Sequence, residues 1–167
     1  MITMNRLESM IAEHQEVDVL YPHGMPDKLP GFIIDNCIYL NDRHTWIEQH
    51  ETLAEEIGHY ATSSGNIVDY STVESRKQER RARDYGYQLT VTLDDLIWCY
   101  EHHLDTIDDV SAYLEVTPAY FWQAIDCYRR KLGSIFKYHG YLFDLRHGID
   151  LVEYSRQKFI ASNNEAH

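Results

Sequence analysis

The chain has 167 residues, 44% of them hydrophobic, with 15 basic and 27 acidic side chains and a formal net charge of -12. That length and apolar fraction suit one domain with a core of its own. The acidic balance excludes a protein built to grip nucleic acid, because it repels phosphates and removes the counterion release that drives such binding. It is compatible with docking onto a basic protein, and equally with plain solubility.

In chain order, Ile2, Leu7, Met10 and Ile11 recur at helical spacing and predict an amphipathic helix up to about His14. This N-terminus has no apolar h-region, and no stretch approaches the ~18 to 20 apolar residues that span a bilayer, which points to the cytoplasm. Val17–Tyr21 is a candidate strand. Pro22, Gly24, Pro26, Pro30 and Gly31 then mark a loop. Phe32–Ile34 and Cys37–Leu40 flank Asp35-Asn36 and predict a β-hairpin.

Trp46, Ile47, Leu53, Ala54 and Ile57 predict a helix over Thr45–Thr62, closed by Ser63-Ser64-Gly65. Further helices are expected over Thr72–Leu89 and Leu93–His103, the second capped by Thr92. Two more follow, over Asp108–Leu114 behind Thr106 and from Thr117-Pro118 to Leu132, ended by Gly133. Phe136–Leu145 is aromatic and fits either a helix or a strand, and Ala161–His167 reads as a frayed tail. The three cysteines, Cys37, Cys99 and Cys127, are too widely spaced for a thiolate zinc site or a disulfide framework and read as reduced, mostly buried thiols.

The chemistry concentrates in Glu55-Glu56-Ile57-Gly58-His59. Glu55 and His59, four apart on a helix, project from one face on successive turns and can reach one cation. In the logic of His-Glu-x-x-His, the outer pair binds metal and the interposed Glu takes a proton from the attacking water. A carboxylate is a legitimate zinc ligand, so Glu55 preserves that arrangement with an oxygen donor. The alternative is a solvated acidic face. Gly58 costs a helix about 1 kcal/mol against alanine, so close approach by another backbone or by a substrate would explain it.

A catalytic zinc takes three protein ligands, and Glu79 is the candidate for the third, one turn before Ala82 on a face where Ala82, Gly86 and Leu89 pack inward. Its competing reading is a surface salt bridge to Arg83 at i+4. His50 lies nine residues before His59, about half a turn out of phase, and should not share the metal.

Gly31–Leu40, the segment Leu53-Ala54-Glu55-Glu56-Ile57-Gly58-His59-Tyr60 and Gln78–Leu89 together resemble the ImmA/IrrE metallo-endopeptidases, over roughly the first hundred residues. The resemblance implies an α+β fold: a zincin-like metallopeptidase core at 1–105 with a small β-sheet near the N-terminus and an active-site helix, then a mostly helical C-terminal extension at 106–167 packed on the same domain. It implies Glu55, His59 and Glu79 as metal ligands and Glu56 as general base, with zinc as the cofactor and manganese as the alternative. Two carboxylates neutralise a dication, so weak or conditional activity is expected.

The implied partner is a helix-turn-helix repressor of a phage or mobile element, cleaved to relieve repression or bound without cutting by an antirepressor. Direct contact with nucleic acid or membrane is not expected, and the sequence leaves the oligomeric state open. Leu104–Gly133, with Tyr113, Tyr120, Phe121, Trp122 and Tyr128, is the candidate docking surface, against core packing as the alternative. Thr106–Lys131 has helix-turn-helix spacing, but its acidic residues limit the likeness to architecture.

Overall fold

The computed structural model of the protein describes residues 4–62 and 73–154. Side-chain caps set the starts of five helices. Asn5 and Glu8 form a capping box for α1 (Arg6–Glu13), and Thr45 and Glu48 exchange the same reciprocal bonds ahead of α2 (Trp46–Thr62). After α3 (Val73–Thr90), the Thr92, Thr106 and Thr117 side chains accept the backbone N–H of the third residue, Asp95, Asp109 and Tyr120, of α4 (Leu93–Glu101), α5 (Ile107–Leu114) and α6 (Pro118–Leu132). The predicted closure of α2 at Ser63-Ser64-Gly65 and the predicted C-terminal tail lie outside the described residues.

β1 (Asp18–Leu20), β2 (Gly31–Ile34) and β3 (Cys37–Leu40) form one sheet in the order β1-β3-β2. The predicted hairpin pairs β2 with β3, Ile34 opposite Cys37, and β1 joins β3 in parallel. Ile38 and Leu40 are fully buried on the face that meets α2, where Leu53, Ala54 and Ile57 complete a core with Leu7 and Met10 of α1. A second core joins α4, α5 and α6 around Leu114, Phe121, Ile125 and Phe143. Phe121 and Tyr128 point into it, so core packing accounts for them, and Trp122 stays exposed.

The C-terminal part adds strands to the expected helices. Helix ends at Leu132, and β4 (Ile135–Tyr138), β5 (Tyr141–Asp144) and β6 (Asp150–Glu153) form an antiparallel sheet. A two-residue turn makes this possible. His139 and Gly140 both have positive φ, 43° and 87°, as a type I′ hairpin turn requires, and Tyr138 pairs with Tyr141 across it. The architecture is α+β. No helix among the described residues is long and apolar enough to cross a membrane.

The start of α1 and the second turn of α2 fasten the two cores together. The Arg6 guanidinium binds Asp95 at 3.0 Å and the Tyr113 carbonyl, and Glu51 accepts the backbone N–H of Thr117. His50 is fully buried and donates from Nδ1 to the Glu115 carbonyl at 2.8 Å, a structural histidine away from the candidate metal ligands.

Burial depresses the His50 pKa; the Glu115 bond opposes this, and nearby Arg6 adds to it. The unfolded chain therefore takes up a proton near pH 6.5 that the folded chain refuses, and stability falls as pH drops through that value. His50→Asn, which keeps a donor for the carbonyl, should lose less melting temperature than wild type between pH 7.5 and 5.5. Equal losses would show that His50 does not drive the change.

Candidate metal centre

Two small-residue contacts decide where α2 and α3 meet. A Cβ on Gly58 would lie 2.1 Å from the Ala82 carbonyl oxygen, and one on Gly86 would lie 2.9 Å from that of Ala54. The partners run in opposite order along the two helices, so the pair is antiparallel. Of the two explanations open for glycine at 58, the structure shows the backbone one, and the crossing sets Glu55 and His59 of α2 against Glu79 and Arg83 of α3.

Glu55, His59 and Glu79 are partly buried, and one ligand atom of each lies within 4.8 Å of the others. Glu79 uses its two oxygens differently. Oε2 faces Nε2 of His59 at 3.5 Å, and Oε1 forms an ion pair with Nη2 of Arg83 at 3.0 Å. Nε of the same Arg83 donates to Oε1 of Glu55, also at 3.0 Å. Glu79 therefore pairs with Arg83 at i+4 and also lies within the cluster that contains Glu55 and His59.

Glu56, between the two α2 candidates, is partly buried. Burial first, then the carboxylates of Glu55 and Glu79, push its pKa up to about 7. A cation between those two carboxylates would cancel their part of the shift. A carboxyl poised near neutrality suits a group that must take a proton and give it back.

One imidazole and two carboxylates are a donor set for zinc or manganese, and their convergence at partial burial fits a single dication. A groove of about 450 Å³ adjoins Glu79, walled by Arg76, Arg80 and Arg83 of α3 and by Gln123 and Arg130 of α6. The residue that sequence reasoning undervalued is Arg83. Its i+4 spacing from Glu79 signalled one partner, and only the helix crossing reveals Glu55 as the second.

The profile of the M78 peptidases, described as the IrrE N-terminal-like domain, matches residues 12–123. The chain belongs to the ImmA/IrrE family. This family is one of metallopeptidases and implies a metal, and the matched span takes in α2 and α3 with all four candidate residues. No curated protein and no solved structure matches the chain significantly.

Proposed function

We propose that this ImmA/IrrE protein is a zinc-dependent endopeptidase of zincin type that cuts a helix-turn-helix repressor of a phage or mobile element in the cytoplasm. The observation that carries the reading is the convergence of Glu55, His59 and Glu79 beside a carboxyl, Glu56, raised to about 7. Glu55, His59 and Glu79 hold the cation, with manganese as the alternative ion. A bound dication supplies Lewis acidity toward the scissile carbonyl and the attacking water. Glu56 accepts the proton of that water and returns it to the leaving amine. The groove beside Glu79 gives an extended peptide a path along α3.

Glu55 in the first ligand position supports a second reading, an antirepressor that binds the repressor without cutting it. The charge of -12 favours a protein partner over DNA in both readings.

The deciding experiment incubates the zinc-loaded protein with the repressor encoded beside its gene and resolves the products by mass spectrometry. Fragments from wild type, with zinc content lost in Glu55→Ala, His59→Ala and Glu79→Ala, are expected. Release of operator DNA without fragments would make the protein an antirepressor. Undiminished zinc in all three variants would remove the ligand assignment, and tight binding to operator DNA by the protein alone would reject both readings.

A further inference from the structure

We propose that Arg83 is the charge-compensating positioning residue that allows Glu55 to serve as a metal ligand: its guanidinium holds the outer oxygens of Glu55 and Glu79 together and keeps the loaded centre net positive. The inference rests on the metal-centre reading above.

The geometry is specific to arginine. Nε reaches Glu55 on α2 and Nη2 reaches Glu79 on α3, each at 3.0 Å, so one planar fork spans two ligands on different helices. It takes Oε1 of Glu79 and leaves Oε2 turned to His59. Groups that fix a ligand's free atom in this way set its orientation and its donor strength. The position follows from local structure. Arg83 stands one turn after Glu79 on the same face, and the contact of Gly58 with Ala82, the residue before Arg83, brings α2 within its reach.

The charge count gives the arrangement its purpose. Two neutral histidines and one carboxylate surround a dication with one negative charge. Glu55, Glu79 and neutral His59 would surround it with two and cancel its charge, weakening it as an electrophile. Arg83, always protonated, restores the sum to one negative charge. The arginine is about half exposed, so its ion pairs contribute little to overall stability. Its field acts on the two carboxylates at hydrogen-bond distance, where it is strongest.

The test measures charge at the loaded centre without using turnover. The full chain is loaded with cobalt(II), metal stoichiometry is confirmed, and azide is titrated in while the cobalt absorption bands are followed. Arg83→Ala should weaken azide binding at least about tenfold, and Arg83→Lys, which keeps the charge, should lose less. The double variant Glu55→His with Arg83→Ala has the wild-type charge sum and should recover near wild-type azide affinity without any arginine to bind the anion itself. Glu55→Gln with Arg83→Ala repeats the rescue with an oxygen donor, should the histidine variant misfold.

Unchanged azide affinity in Arg83→Ala overturns the proposal, as does failure of both rescues in folded, cobalt-loaded protein. Higher cobalt affinity in Arg83→Ala with unaltered azide binding also overturns it, making Arg83 a mere competitor for the site. If wild type and every variant take up no cobalt, the metal-centre reading falls and this inference with it. A wild type that loads while Arg83→Ala behaves identically rejects the inference alone.

Discussion

Gly58→Ala should lower the melting temperature by roughly 4 to 12 °C and detach the two halves of the candidate metal centre. The added methyl would sit 2.1 Å from the Ala82 carbonyl oxygen and 2.8 Å from its carbon, both backbone atoms that no side-chain rotation can clear. The helices must separate. Alanine gains about 1 kcal/mol in helix propensity over glycine, but forced overpacking costs about 1–3 kcal/mol and more where backbone must move. With backbone forced to move, a gross cost of about 3–4 kcal/mol less the propensity gain leaves a net loss of about 2–3 kcal/mol, which gives that shift at roughly 2–4 °C per kcal/mol for a chain of this size. Separation also draws His59 away from Glu79, so zinc content should fall with stability. Gly86→Ala meets Ala54 at 2.9 Å and should cost less. A Gly58→Ala protein that melts at or above wild type would show that the close crossing is not required.

Glu56→Gln should leave zinc content and fold intact and reduce cleavage of the repressor on the order of 10²- to 10⁴-fold, the usual contribution of a positioned general base. The amide is nearly isosteric with the carboxyl but cannot accept the proton of the attacking water. Its neutrality also removes the cost of a partly buried carboxylate beside Glu55 and Glu79, so the variant should melt no lower than wild type. The rate of fragment appearance, measured with both proteins at matched zinc content, is the readout. A variant that cuts as fast as wild type would remove Glu56 as the base, and one that releases operator DNA as well as wild type with no fragments would make the protein an antirepressor.

Helix starts at Thr92, Thr106 and Thr117 were legible because a cap is a contact within three residues. The hairpin at Asp35-Asn36 was legible because strand composition and turn lie side by side. The second hairpin was harder to see. Its turn is His139-Gly140, where histidine adopts a positive φ that its residue type does not advertise, and the aromatic run around it suits helix and strand alike. The cue was there in a glycine two residues into a break between alternating segments.

The α2 half of the candidate centre was readable from the chain alone, since Glu55 and His59 are four apart on one helix and need no tertiary contact to share a face. The remainder came from packing between helices. Glu79 meets His59 and Arg83 meets Glu55 because Gly58 and Gly86 let two antiparallel helices approach to backbone contact, a long-range relation that no periodicity encodes. The elevated pKa of Glu56 and the depressed pKa of His50 have the same origin: burial, which comes from what packs over a residue and not from its neighbours in the chain.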